Sequence, residues 1–256
     1  MKIHTLISPV FKFFLTRRYR IKIKGGELLN QTGAKLVLPN HPAQIDAQIL
    51  VPITNKHWDI VPVVSARFLK IPFVSYILKG MNAVPVSDLS RGSRNNNVLN
   101  DILVGTTDAL KKDRSVILYP AGSIKMQAKE RIINKKSTYS VLQILPENAS
   151  VIGVRITGLW GSMWSVAWQG KKPKFGPTFL KSVFYIFANL IFFLPKRQVT
   201  YEFVDITDEI KQYAKQDLKT FNDYLENFYN ADGPEDVKFI RHFFFLPLMK
   251  PKGSKK

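Results

Sequence analysis

Between Tyr19 and Tyr229, short apolar runs alternate with stretches of helical periodicity, and this alternation constrains the fold more than any other feature of the chain. YRIKIK at 19–24 alternates apolar and basic residues, the pattern of an edge strand. KLVL at 35–38, IVPVV at 60–64, AVPV at 83–86, SVILY at 115–119, SVIGVRI at 150–156 and VTYEFV at 199–204 predict further strands. Helical spacing is found at 43–53, at 67–79 with a break near Pro72, at 95–112 and at 138–145. A last helix is expected over 208–229, capped by Thr207. Strands that alternate with helices predict an α/β fold: one domain, a mixed but mostly parallel sheet, and helices on its faces. A chain of 256 residues suits one large domain, and no internal repeat or long linker divides it.

Charge narrows the partners. Lys and Arg number 38 against 19 Asp and Glu, a net charge of +19. Such a surface favours polyanions, either nucleic acid or anionic lipid headgroups. The apolar residues separate the two. MKIHTLISPVFKFFLTRRYR at the start has helical apolar spacing followed at once by Arg17, Arg18 and Arg20, the pattern of an amphipathic membrane-anchoring helix over 1–18. FLKSVFYIFANLIFFL at 179–194 is aromatic-rich and falls short of the roughly 20 residues that span a bilayer, so it suits a buried or interfacial helix. The tail at 236–256 is apolar from Phe243 to Met249 and then basic, with Lys250, Lys252, Lys255 and Lys256. Three such segments favour an anionic membrane surface as partner. No helix-turn-helix, RNP-type strand or zinc finger points to nucleic acid. The absence of cysteine excludes disulfides, thiol nucleophiles and cysteine-ligated metals.

The chemistry centres on LVLPNHPAQIDAQIL, residues 36–50. A buried strand runs into Asn40–His41–Pro42 and a helix follows, with Pro42 suited to its first position. Pro42 also disfavours the α region at His41. His41 therefore stands at a strand-to-helix corner, where α/β sheets place their ligands. Asp46 lies five residues on, too far to share a face with His41 on a continuous helix. With His41 outside the helix, the chain can fold back and bring the carboxylate to the imidazole, a pairing that suits general-base work. The spacing alone is equally open to a capping histidine and a dipole-favoured acid at a helix start. No Gly-x-Ser-x-Gly elbow supports a hydrolase, and no ligand spacing suggests a metal.

Asn40-His41-Pro42-Ala43-Gln44-Ile45-Asp46 resembles the NHxxxxD motif of the glycerolipid acyltransferase family, which includes the lysophosphatidate acyltransferases. Three more stretches follow in that family's order. MNAVPVSD at 81–88 is similar to the second block, VILYPAGSIK at 116–125 to the third, and VIGVRITGLWGS at 151–162 to the fourth. GLWGS and the later FYNADGPE are similar in particular to the acyltransferase portion of bifunctional acyl–acyl-carrier-protein synthetase/lysophosphatidylethanolamine acyltransferases. The resemblance covers about residues 20–235, so an acyltransferase domain is expected over 19–235. Two departures stand out. Ala121 occupies the third-block position usually held by Glu, and Ser87–Asp88 stand where the second block carries a phosphate-binding Arg.

The resemblance implies acyl transfer from an acyl thioester, acyl-CoA or acyl carrier protein, to a lysophospholipid hydroxyl. His41 would be the general base and Asp46 its orienting partner. Asn40, Gln44, Pro120, Gly122, Ser123 and Lys125 would line the substrate site, with Arg91 or Arg94 replacing the missing arginine. Backbone N–H groups near Gly122 and Ser123 would face the oxyanion or a phosphate. No cofactor is needed beyond the thioester co-substrate. Trp160, Trp164 and Trp168 have the spacing of one packed helical stripe. A membrane-associated enzyme at the cytoplasmic face is implied, because acyl thioesters are cytosolic. The alternative is a non-catalytic lipid-binding module on the same scaffold.

Overall fold

Alternating side chains along the central strands supply two apolar faces, and these faces organise the molecule. In the computed structural model, which describes residues 17–86, 96–242 and 244, seven strands form one sheet in the order β1-β7-β6-β2-β5-β3-β4. They are β1 (Tyr19–Lys24), β2 (Lys35–Pro39), β3 (Ile60–Ser65), β4 (Val84–Val86), β5 (Ser115–Ile117), β6 (Ser150–Thr157) and β7 (Arg197–Asp205). Every pair is parallel except β6 with β7. The mixed, mostly parallel sheet predicted from the alternation is therefore observed. β2 lies fourth of the seven strands and is buried along its whole length.

Among the described residues the α-helices are α1 (Asp46–Thr54), α2 (Pro72–Gly80), α3 (Asn96–Lys111), α4 (Ser137–Leu142) and α5 (Phe175–Ala188), which lie between strands, and α6 (Thr207–Tyr213) and α7 (Leu218–Tyr229), which follow β7. Leu36, Leu38, Val116, Leu118 and Val151 face one layer, with Val98, Ile102 and Leu110 of α3 and Phe221 and Leu225 of α7. Val37, Ile117, Ile152, Val154 and Ile156 face the other, with Ile49 and Leu50 of α1. The period of two along each strand thus produces the three layers. Gly153 lets α7 approach closely, since a Cβ there would stand 2.5 Å from the Phe228 ring.

Some expectations need correction. The helix predicted from 43 begins only at Asp46, so Pro42 is not its first residue. The reason is local: Gln44 N–H donates to the Trp164 carbonyl at 3.0 Å and the Asp46 carboxylate accepts from Ala43 N–H, which keeps 43–45 out of the helical ladder. The helix predicted over 208–229 is two. Asp217 caps the second by accepting from Lys219 and Thr220 N–H, and Thr207 is the first residue of α6 rather than its cap. Trp160, Trp164 and Trp168 form no helical stripe. They are buried along an irregular segment after β6, with only Val166–Trp168 in a single 3₁₀ turn. The amphipathic run at 1–16, Phe243 and residues 245–256 lie outside the described residues, as do Arg91 and Arg94.

Candidate active site

The corner after β2 brings two of the predicted side chains into contact. His41 Nδ1 lies 2.9 Å from Asp46 Oδ2, with the His41 side chain 19% exposed and the Asp46 side chain fully buried. A buried carboxylate must have its lone pairs satisfied. Here Oδ2 also accepts from Ala43 N–H at 3.2 Å, and Oδ1 accepts from the Tyr119 hydroxyl at 3.0 Å. Asp46 is the first residue of α1, where the helix dipole favours a negative charge. Tyr201 of β7 donates to the Asp46 carbonyl at 3.1 Å and holds the backbone from below. With Nδ1 committed to the carboxylate, the imidazole keeps Nε2 as its free acceptor.

Tyr119 is a site residue that sequence reasoning missed. Its ring centroid is 4.3 Å from that of His41, and its hydroxyl reaches Asp46. Burial and the neighbouring Asp46 charge push its pKa well above the usual tyrosine value, so it stays a donor. The residue was visible at the end of SVILY, but it read only as the last strand position.

The other predicted residues have mixed placements. Asn40 uses both ends of its amide inside the fold: Nδ2 donates to the Ile156 carbonyl at 3.1 Å, and Oδ1 accepts from Ile156 N–H at 2.7 Å. This pair extends the β2–β6 ladder past the last strand residue and fixes the corner. Gln44 donates to the Pro173 carbonyl at 2.8 Å. Pro120 and Ala121 are buried. Gly122 is exposed with φ of 66°, and its N–H closes a turn on the Tyr119 carbonyl at 3.0 Å. Of the two N–H groups expected to face an oxyanion, Gly122's is therefore already engaged. Ser123 is half-exposed, and no hydrogen bond engages its N–H or hydroxyl among the described residues.

Lys125 does not present its charge to an open site. Its ammonium pairs with Glu235 at 2.6 Å and lies 4.9 Å from the Trp160 ring centroid, with the side chain 4% exposed. Its backbone does serve the corner, because Lys125 N–H donates to the His41 carbonyl at 2.8 Å. Among the described residues no cluster of three or more His, Asp and Glu could hold a metal.

A family model described as acyltransferase matches residues 20–157, from β1 to the end of β6 and through the whole corner. No curated protein matches the chain. Among solved structures, the chain is similar to the 1-acyl-sn-glycerophosphate (LPA) acyltransferase PlsC from Thermotoga maritima. The TM-score is 0.52 at 18% identity, over 88% of this chain and 77% of that one. At that identity the likeness is one of fold.

Proposed function

The chain belongs to the acyltransferase family, and from that premise we propose that it moves a fatty acyl group from an acyl thioester to the hydroxyl of a lysophospholipid at a membrane surface. The observation that carries the reading is the His41–Asp46 contact, with both Asp46 carboxylate oxygens hydrogen-bonded and His41 joined to the acid through Nδ1, which leaves Nε2 for the acceptor hydroxyl. His41 Nε2 takes the proton of the acceptor hydroxyl as its oxygen attacks the thioester carbonyl. The forming imidazolium is stabilised by Asp46. The C–S bond then breaks, and the departing thiolate recovers the proton from His41. Ser123 N–H is the donor available to the oxyanion. No covalent enzyme intermediate, metal or cofactor takes part. The donor is acyl-CoA or acyl carrier protein, and the +19 charge suits acidic donors and anionic lipid alike.

Membrane association belongs to the same proposal. No described helix is long and apolar enough to cross a membrane. Yet α5 and the turn after it expose Phe179, Leu180, Phe184, Phe187, Leu190, Phe192 and Phe193, with Phe192 at 72%. Lys171, Lys172, Lys174 and Lys196, exposed at the two ends of this segment, complement anionic headgroups. The ledge adjoins the corner through Gln44 and Pro173, and so brings a lipid acceptor near His41. We place the site at the cytoplasmic face, where acyl thioesters are available. Nucleic acid is not a proposed partner.

The test is acylation of a lysophospholipid panel by purified protein with anionic vesicles, acyl-CoA or acyl carrier protein as donor, and His41→Ala in parallel. Turnover lost in the variant supports the reading, and the preferred acceptor identifies the headgroup. No turnover with any pair of donor and acceptor favours the non-catalytic lipid-binding module instead.

A further inference from the structure

His41 is gripped twice, once by its ring and once by its main chain. The main-chain grip comes from the loop after β5: His41 N–H donates to Glu130 Oε2 at 3.2 Å, and the His41 carbonyl accepts from Lys125 N–H. Glu130 is 2% exposed, and its other oxygen, Oε1, has no hydrogen-bond partner among the described residues. Its own peptide is locked to the end of α7. Glu130 N–H donates to Asn230 Oδ1 at 2.8 Å, and its carbonyl accepts from Asn230 Nδ2 at 2.9 Å. Packing does not require a carboxyl here, and a half-satisfied buried carboxyl is unfavourable. It nevertheless sits on the backbone of the residue that abstracts the proton.

We infer that Glu130 is a positioning residue for acyl transfer, seating His41 from the main-chain side as Asp46 seats it from the ring. The inference rests on His41 acting as general base. The ionisable groups around Glu130 are His41 and Asp46 across the corner, Lys125 on its own loop and Tyr229 on α7. Burial pushes the carboxyl up most, Asp46 adds to this, and His41 and Lys125 oppose it, which leaves the pKa at about 7. When ionised, Glu130 accepts a charge-assisted bond from His41 N–H and places negative charge beside the forming imidazolium. When protonated, it does neither. The seat of the general base therefore tightens as pH rises through neutrality.

Glu130→Gln isolates this role, because the amide keeps the shape and an acceptor oxygen but carries no charge at any pH. In the full-length protein, kcat for lysophospholipid acylation should fall about tenfold at about pH 8.5 and less than about threefold at about pH 6, with KM nearly unchanged. A deficit independent of pH, a change confined to KM, or no change overturns the inference. A second readout does not depend on turnover. The imidazole resonance of His41, assigned by its absence in His41→Ala, should show an extra titration step near neutrality that Glu130→Gln removes. If that step is present in a protein without acylation activity, the function fails and the coupling stands. If turnover occurs without the step, the coupling fails and the function stands.

Discussion

The corner after β2 and the ledge from Phe175 to Phe193 depart from ordinary protein architecture in opposite senses. The corner buries charge: Asp46 is fully inaccessible and Glu130 nearly so. The ledge exposes aromatic carbon, with Leu180 at 69% and Phe192 at 72%. Buried charge is tolerated only when its geometry is closed, and so the corner is held by Ala43, Tyr119 and Tyr201 on one side and by Lys125 and Glu130 on the other. Exposed aromatics need no such precision, only a partner outside the chain. The turn that carries them is nonetheless held in place. Leu190 and Ile191 adopt φ of 50° and 59°, which side chains with a Cβ disfavour. The buried Asn189 anchors this turn by donating to the Tyr185 carbonyl and accepting from Phe244 N–H. The corner is therefore suited to chemistry, and the ledge to adhesion.

If this division is right, mutations in the two regions affect different measurements. The largest effect is expected at the corner: His41→Ala should lower kcat on the order of 10⁴-fold, and Asp46→Asn on the order of 10³-fold, since an amide stabilises the wrong tautomer. Neither should change vesicle binding in a flotation assay. Loss of binding in either variant would break the separation.

A second test compares the corner with the base of the ledge by their pH response. His242 is buried and stacks on Tyr185 of α5 with ring centroids 5.0 Å apart. Burial first, then Arg18 and Arg197, lower its pKa from 6.5 to about 4. Its contribution to stability is present above the unfolded value and lost as pH falls from 6.5 to about 4. Glu130 runs the other way. Raised from 4.5 to about 7, it favours the fold below its unfolded value and loses that contribution as pH rises through about 7. Each effect is on the order of 3 kcal/mol, and over their shared range they largely cancel. His242→Phe should therefore unmask stability that falls with rising pH. Glu130→Gln should unmask stability that rises with pH below the ordinary histidine range. Thermal unfolding of the two variants across pH reads both slopes, and parallel curves would refute the assignment.

Weaker effects are expected on adhesion and on the tyrosine brace. Replacing Phe184, Phe187 and Phe192 together with serine should weaken binding to anionic vesicles about 30-fold. Unfolding temperature and turnover on detergent-dispersed acceptor should hold. Tyr119→Phe removes one donor to a buried carboxylate while keeping the ring beside His41. It should lower kcat about tenfold with KM unchanged. A loss as large as that of Asp46→Asn would mean that Tyr119 does more than brace the acid.

Much of the fold was legible because burial on both sheet faces leaves a local signature. KLVL, SVILY and SVIGVRI are apolar runs too short for helices, and the described strands fall on them. The helix starts were less legible, because competing side-chain bonds decided them: Asp46 with Ala43 N–H delayed one, and the Asp217 cap divided another. The tryptophans misled for a related reason. Their four-residue spacing reads as helix, but at Gly158 and Gly161 φ is positive and the buried Arg197 guanidinium binds both of their carbonyls, which imposes a loop.

The sequence by itself determined the α/β alternation, the His41–Pro42 corner and the presence of an acid five residues on. These follow from periodicity and from the restricted backbone around proline, both of which act over a few residues. Only the tertiary structure decided what surrounds that pair. Tyr119, Glu130 and Tyr201 reach the corner across 73, 89 and 155 residues of chain. Lys125, expected to line the substrate site, is paired with Glu235 across 110 residues. A single sequence carries no local trace of such contacts, since the free energy that selects them arises when the sheet closes and each buried charge must find a partner.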